Sequence, residues 1–168
     1  MVRSHLEYAL SVWYPYRQKL IDDLERVQKR ATKLVSSLNK CSYSERLKCL
    51  KLPTLKYRRF RGDMIEVYKI VSGKYDKDIT INLDFNRDSR TRGNLFKLKN
   101  KRFHYDIRKF SFSVRIVNVW NSLPNSVVEV DTINLFKKRL DHFWADQDVI
   151  FDYKADLTGL SSRSYLEI

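Results

Sequence analysis

Glycine, proline and cysteine are all scarce in this 168-residue chain, which contains 4, 3 and 2 of them respectively. The glycines stand apart from one another, so the sequence has no glycine-rich loop that could cradle a phosphate. The cysteines, Cys41 and Cys49, are too few for a disulfide scaffold, and their spacing suits neither a zinc site nor a redox pair. We therefore expect reduced, buried thiols, as in an intracellular protein.

Long apolar runs are also missing. No stretch approaches the roughly 18 residues that are needed to span a bilayer, and the N-terminal residues MVRSHLE lack the apolar stretch of a signal peptide. We therefore expect no membrane span and a nuclear or cytoplasmic location, while the oligomeric state stays open. An apolar fraction of 43% predicts a packed chain rather than a disordered one.

Nor does the sequence contain a recognisable group of catalytic side chains. Asp22 and Asp23 are the only adjacent acidic pair, and they fall in the first turns of a predicted helix, where acids complement the helix dipole. His5, His104 and His142 each stand alone, without a partner at metal-ligand or catalytic-triad spacing. We predict no catalytic residues, no metal site, no cofactor and no enzyme activity from this chain alone.

Positive charge, by contrast, is abundant, because 33 Lys and Arg residues outnumber 20 Asp and Glu residues for a net charge of +13. Residues 1–74 carry 17 basic and 7 acidic side chains, residues 75–110 carry 10 and 5, and residues 131–168 carry 5 and 7. Such an excess favours polyanionic partners, RNA or DNA before an anionic membrane. Any nucleic-acid surface is therefore expected in the first two thirds of the chain.

Apolar spacing predicts a mainly α-helical fold. One predicted helix starts at Leu20, and its apolar residues share one face at the helical period: Leu20, Leu24, Val27, Ala31, Leu34, Val35 and Leu38. The basic residues of the same segment lie opposite, so the helix is amphipathic. A shorter helix carrying Leu6, Ala9, Leu10 and Trp13 is predicted before it, and Pro15 separates the two.

Two local capping signals predict the next helices. Ser42 and Glu45 match the capping box, in which a serine hydroxyl and a glutamate carboxylate satisfy free backbone amides; this helix should end near Leu50. Thr54 is suited to cap a further helix that Gly73 ends. The apolar residues of that helix recur on one face: Tyr57, Phe60, Met64, Tyr68 and Val71.

These patterns divide the chain into a helical part over 1–74, a basic connector with one or two short strands over 75–110, a helical part over 111–146, and a flexible acidic tail over 147–168. The stretch 112–123 fits both a strand and a helix, and we favour the helix. Asp131 or Thr132 is expected to cap the last helix, whose face carries Ile133, Phe136, Leu140, Phe143 and Trp144.

Three groups of basic residues are candidates for contacts with nucleic-acid phosphates. They are Arg26, Lys29, Arg30 and Lys33, expected as an exposed stripe; Lys56, Arg58, Arg59 and Arg61; and Arg90, Arg92, Lys97, Lys99, Lys101 and Arg102. Such cations give affinity that is independent of sequence and weakens steeply with salt. Tyr57 and Phe60 are candidates for stacking on bases, although their helical spacing favours a place in the core.

Several motifs, in order, resemble the region that follows the catalytic palm in LINE-type (non-LTR) retrotransposon reverse transcriptases, especially the jockey-like and chicken-repeat-like clades. The most specific is LERVQKRA over residues 24–31. The others are RSHLEYA (3–9), VWYPY (12–16), YSERLK (43–48), LKLPTL (50–55), RRFRGDM (58–64), TRG (91–93), FSVR (112–115), VWNSLP (119–124) and FKKRLD (136–141). The similarity covers about residues 2–146.

The resemblance implies that residues 1–74 form a thumb-like helical bundle, which in this family holds the RNA or RNA–DNA template-primer duplex behind the active site. The fingers, palm, catalytic aspartates and endonuclease would all precede Met1, so polymerase activity does not carry over, and the chain would be a catalytically incomplete fragment. Two alternatives stay open. One is a protein-interaction module, with or without association to a membrane surface, whose Trp13, Trp120 and Trp144 meet a partner; the other is a functionless product of a truncated element copy.

Overall fold

The computed structural model describes residues 14–76, 78, 80–86, 94, 96–100 and 105–160. The short helix predicted before Pro15 lies outside these residues. The described part of the chain is mainly helical, as predicted, and contains no sheet. Its residues fall into two compact units: the first comprises those of Met1–Arg61 and Gln147–Leu157, and the second those of Gly62–Asp146 and Thr158–Ile168.

The first unit is built from helices joined by short turns. Helix α1 spans Gln18–Lys33 and is followed by a 3-10 turn at Ser36–Leu38, and helix α2 spans Tyr43–Leu50. Helix α3 spans Leu55–Val71, so it begins in the first unit and ends in the second. A 3-10 turn at Asp148–Ile150 completes the unit from the far end of the sequence.

Helix α1 forms where the periodicity predicted it, but the side that packs inward is not the apolar one. The buried side consists of Ile21, Glu25, Gln28 and Thr32. Leu20 and Val27 keep 43% and 41% of their surface exposed, and Leu34, which follows the helix, keeps 86%. The amphipathic pattern therefore predicted the helix correctly and its orientation wrongly.

Helix α2 begins with the predicted capping box. The backbone amide of Glu45 donates to the hydroxyl of Ser42 at 3.3 Å, and the amide of Ser42 donates to the Glu45 carboxylate at 2.7 Å. Hydrogen bonding of this carboxylate with the side chain and the backbone amide of Ser42 holds the pKa of Glu45 below its ordinary value. A carboxyl with a lowered pKa stabilises the fold at neutral pH and loses that contribution as the pH falls through the lowered value.

Thr54 caps helix α3, as predicted, and also joins it to the C-terminal segment. Its hydroxyl accepts a hydrogen bond from the amide of Tyr57 at 3.1 Å and donates one to the carbonyl of Val149 at 2.6 Å. The amide of Thr54 in turn donates to the carbonyl of Ile150 at 2.8 Å. Thr54 is completely buried, so both of its hydroxyl contacts are shielded from water.

Replacing Thr54 with valine should therefore lower the free energy of unfolding by about 2 kcal/mol, since the helix loses its cap and the carbonyl of Val149 loses a buried donor. Thr54→Ser keeps the hydroxyl and is the matched control, with an expected loss below about 1 kcal/mol. Urea denaturation followed by circular dichroism measures both. Equal losses in the two variants would mean that packing of the methyl group contributes as much as the hydroxyl at this position.

The second unit packs helices around one aromatic cluster. Helix α4 spans Asp106–Lys109, α5 spans Phe112–Asn121, α6 spans Asn125–Val128 and α7 spans Ile133–Phe143. The centre of the core is formed by Tyr68, Trp120, Phe136, Leu123 and Leu140, all buried. The rings of Tyr68 and Phe136 stack with 4.4 Å between centroids. Helix α5 confirms the helix that was favoured over a strand for residues 112–123. The cap predicted for α7 is confirmed at Thr132, whose hydroxyl accepts a hydrogen bond from the amide of Leu135.

The basic connector contains less regular structure than predicted. Among its described residues, β pairing is limited to one antiparallel bridge between Phe85 and Leu98. Side chains of α5 hold this segment instead: the amide group of Asn121 bonds both the N–H and the carbonyl of Leu98, at 2.8 and 2.9 Å. The indole N–H of Trp120 donates to the carbonyl of Phe96 at 2.8 Å. The one or two strands expected here are not present in the described part of the connector.

The first part of the predicted flexible tail packs instead into the first unit. Val149, Tyr153 and Leu157 are buried, and Thr54 bonds the backbone of this segment twice, as described above. Val149, Tyr153 and Leu157 recur at a spacing of four, as residues on one face of a helix would. The segment nevertheless forms a 3-10 turn and irregular turns instead of a helix. The expectation of a flexible tail is therefore corrected for residues 147–157.

Candidate nucleic-acid interface

The orientation of helix α1 is set by a buried carboxylate. Glu25 has no exposed surface, and its Oε1 accepts hydrogen bonds from the amides of Leu55 and Lys56 at 2.6 and 3.1 Å. Its Oε2 accepts one from the hydroxyl of Tyr43 at 2.6 Å. Glu25 lies on a helix about 30 residues earlier in the sequence. Its carboxylate therefore accepts hydrogen bonds from backbone N–H groups that have no partner within α3, and it offsets the positive end of the α3 dipole.

Two further polar residues extend this inner face toward the end of α1. The side-chain amide of Gln28 donates to the hydroxyl of Tyr43 at 3.0 Å and to the carbonyl of Pro53 at 3.3 Å. The hydroxyl of Thr32 accepts from the guanidinium of Arg46 at 3.3 Å, and Arg46 also donates to the carbonyl of Cys41 at 2.6 Å. Because these groups need partners when buried, they fix which sides of α1 remain outside.

One outer side of α1 is cationic. Arg26, Arg30 and Lys33 are exposed, as predicted, and Lys19, which was not among the predicted residues, is exposed beside them. Asp23 also lies on this side, and it pairs with Arg26 at 3.1 Å. Both partners are largely solvated, so the pair contributes little to stability and Arg26 can exchange it for a phosphate. We call Lys19, Arg26, Arg30 and Lys33 the cationic face.

Lys29 does not belong to this exposed stripe, contrary to the prediction. Its ammonium donates to the hydroxyl of Tyr153 at 3.0 Å and lies 4.5 Å from the centre of the Tyr153 ring and 5.3 Å from that of Tyr43. Its position on the helix is next to the inner side rather than the outer one. Lys29 therefore binds the C-terminal segment to α1 by a hydrogen bond and cation–π contacts.

The second group of basic residues is largely internal. Lys56 and Arg59 are buried, while Arg58 and Arg61 are half-buried. The ammonium of Lys56 donates to the carbonyl of Ala155 at 2.8 Å and pairs with the carboxylate of Asp156. The guanidinium of Arg59 lies 5.9 Å from the centre of the Tyr14 ring. Lys56 and Arg59 would have to leave these contacts to meet a phosphate, so both have a structural role in this fold.

The third group is only partly described. Lys99 is exposed and Lys97 is half-buried, both in the second unit. Arg90, Arg92, Lys101 and Arg102 lie outside the described residues.

The aromatic candidates are mostly in the cores. Tyr57, Trp120 and Trp144 are buried and Phe60 is half-buried. The interaction-module hypothesis required exposed tryptophans, and Trp120 and Trp144 do not meet that condition; Trp13 lies outside the described residues.

Three further candidate side chains lie in the described part of the chain. His142 is exposed on α7. Both cysteines are free, with Cys41 half-buried and Cys49 exposed, which corrects the expectation of a buried thiol at Cys49. Across the described ranges, no three His, Cys, Asp or Glu side chains are grouped as a metal site would require, and none of the helices there combines the length and apolar character of a membrane span.

Sequence reasoning missed the inner face of α1, although its signal was present. Ile21, Glu25, Gln28 and Thr32 follow one another at spacings of four, three and four, which is the same helical period as the apolar set.

No protein-family model matches this chain, and neither a curated protein nor a solved structure matches it.

Proposed function

We propose that this chain is a post-catalytic segment of a LINE-type reverse transcriptase, and that helix α1 binds the phosphates of RNA or of an RNA–DNA duplex without selecting a sequence. The exposure of Lys19, Arg26, Arg30 and Lys33 on one side of α1 carries the binding proposal. The order of motifs along the chain supports the family origin. We assign no catalytic step to these residues, because two-metal polymerase chemistry needs converging carboxylates, which the resemblance places upstream.

The dimensions of the cationic face suit a phosphate backbone. At 1.5 Å per residue, Lys19 and Lys33 lie about 21 Å apart along the axis of α1. Phosphates of one strand follow one another at about 3.4 Å along a duplex axis, so a face of this length can meet several of them. Lys and Arg bind phosphates on any sequence, because contacts to the backbone carry no base information.

The inner polar contacts give this face its rigidity. Glu25, Gln28 and Thr32 bind groups outside α1, so the helix cannot rotate about its axis without leaving buried polar groups without partners. A fixed orientation lowers the entropy that is lost when the cations meet a phosphate backbone. Phosphate contacts are not assigned to Lys29, Lys56 and Arg59. Their internal contacts help to hold the first unit together.

Replacing Arg26 and Lys33 together with glutamine should lower the affinity for an RNA–DNA duplex by about 10-fold in moderate salt and reduce the slope of log K against log salt by about 2. The reason is that two phosphate contacts, and the counterions they release, are lost. Fluorescence anisotropy titrations across a salt series measure both quantities. Arg30 is left unchanged in this variant because it also lies directly beside the apolar side of α1.

The matched control is the double variant Lys40→Gln, Lys138→Gln, which removes the same charge from two exposed sites outside α1. Its salt slope should stay close to that of the unchanged chain. If both double variants lose affinity equally, binding depends on overall charge and not on the cationic face. Absence of binding at low salt, or binding that salt does not weaken, would contradict the proposal as a whole.

A further inference from the structure

A second outer side of α1 is apolar and continues as a heptad repeat. Leu20, Leu24, Val27, Ala31 and Leu34 alternate at spacings of four and three, which is the pattern of positions a and d in a coiled coil. Leu24 is half-buried and the other four are exposed. We call these five residues the apolar seam. A seam of this kind is costly to leave in water, so something is expected to cover it.

The charged residues beside the seam indicate what covers it. In the heptad frame, positions g are occupied by Asp23 and Arg30, which carry opposite charges, and both are accessible to solvent. Positions e are occupied by Ile21 and Gln28, which are buried within the first unit. Only one flank of the seam is therefore free to meet a partner, and this flank is acidic near the start of the helix and basic near its end.

This arrangement is self-complementary in one orientation. When two such helices pack antiparallel, g positions face g positions, so Asp23 of each copy lies opposite Arg30 of the other. A parallel pair would instead set each of these charges against a position e, where Ile21 and Gln28 offer no opposite charge. A two-fold axis that crosses the seam near Val27 forms both ion pairs at once, as an isologous interface requires.

We propose that the chain forms an antiparallel homodimer through the apolar seam, with reciprocal pairs between Asp23 and Arg30. The seam is two heptads long, and one helix face buries less than the roughly 800 Å² per partner of a standard interface. The dimer is therefore weak, with a dissociation constant on the order of 10 to 100 µM. The inference does not rest on the proposed nucleic-acid function, because the five residues of the apolar seam are not part of the cationic face, although Arg30 contributes to both surfaces.

Sedimentation equilibrium of the full chain from about 1 to about 200 µM covers the expected range. The average mass should rise from monomer to dimer with concentration. Val27→Lys places a charge in the centre of the seam and should keep the chain monomeric throughout; Val27 is exposed, and lysine favours a helix more than valine does. Gln18→Lys adds the same charge at an exposed position of α1 outside the seam and should dimerise like the unchanged chain.

A charge exchange tests the orientation. Asp23→Arg alone should weaken dimerisation about 10-fold, because it sets two arginines against each other, and the double variant Asp23→Arg, Arg30→Asp should restore it to within about 3-fold. Failure of the double variant to recover would overturn the antiparallel arrangement. A chain that remains monomeric, or a dimer that Val27→Lys leaves intact, would overturn the proposal. Val27→Lys keeps the whole cationic face, so retained duplex binding in this variant separates the two hypotheses.

Discussion

Replacing Arg115 with methionine is expected to lower the free energy of unfolding by about 3 to 5 kcal/mol. Arg115 lies on α5 and meets Asp63 of α3 through two parallel hydrogen bonds, from Nε to Oδ2 and from Nη2 to Oδ1, both 2.9 Å long. The side chains of Arg115 and Asp63 are 9% and 5% exposed. Methionine fills much of the same volume but leaves the carboxylate of Asp63 buried without this partner.

The pair itself need not be a large net source of stability, because both charges were removed from water to form it. The double variant Asp63→Leu, Arg115→Met replaces it with apolar side chains and should recover most of the loss, in keeping with other buried pairs. Arg108→Met removes an exposed arginine from the same unit and should change stability by less than about 0.5 kcal/mol. Urea denaturation of these three variants and of Asp63→Leu alone supplies the four values, and losses that simply add in the double variant would mean that the two charges are not coupled.

Short-range signals in the sequence predicted the structure correctly where the two interacting groups lie only a few residues apart. The capping box of Ser42 and Glu45, and the caps by Thr54 and Thr132, involve groups three residues apart, so a short sequence window contains both partners. Gly73 follows α3 with a φ of 63°, a conformation that glycine adopts without strain. The positions of the main helices follow from these signals together with apolar spacing.

The orientation of α1 could not be deduced in the same way. Hydrophobic periodicity assumes that the apolar side is the buried one, but here the polar side is buried because its partners are supplied elsewhere. The amide of Leu55 and the hydroxyl of Tyr43 reach Glu25 from 30 and 18 residues away, and no local window connects them. Net charge was similarly uninformative about Lys56, whose partners Ala155 and Asp156 lie about a hundred residues later.

The same dependence on distant contacts explains why the candidate nucleic-acid interface of the structure differs from the one that the sequence predicted. Four basic residues at 56, 58, 59 and 61 are as dense in the sequence as those of α1, but two of them are buried. Exposure depends on which side of a helix faces the core, and that side is set by tertiary contacts. The cationic face therefore depends on Glu25 more than on any of its own residues.

Replacing Glu25 with alanine should lower the free energy of unfolding by about 3 to 5 kcal/mol, since three hydrogen bonds to a buried carboxylate are lost and the amides at the start of α3 are left without an acceptor. Glu25→Gln retains one carbonyl oxygen and should lose about half as much, because a neutral amide accepts more weakly than a carboxylate. Hydrogen exchange of the amides of Leu55 and Lys56 should accelerate in both variants, more so in the alanine variant.

Asp23→Ala removes a carboxylate from the same helix two residues earlier and is the matched control. Asp23 is 43% exposed and pairs only on the surface, so this variant should change stability by no more than about 0.5 kcal/mol. If Glu25→Ala is equally mild, the carboxylate does not anchor α1, and the apolar side is free to turn inward. The cationic face would then be displaced from its exposed position, so the stability of Glu25→Ala tests the framework on which both the phosphate contacts and the seam depend.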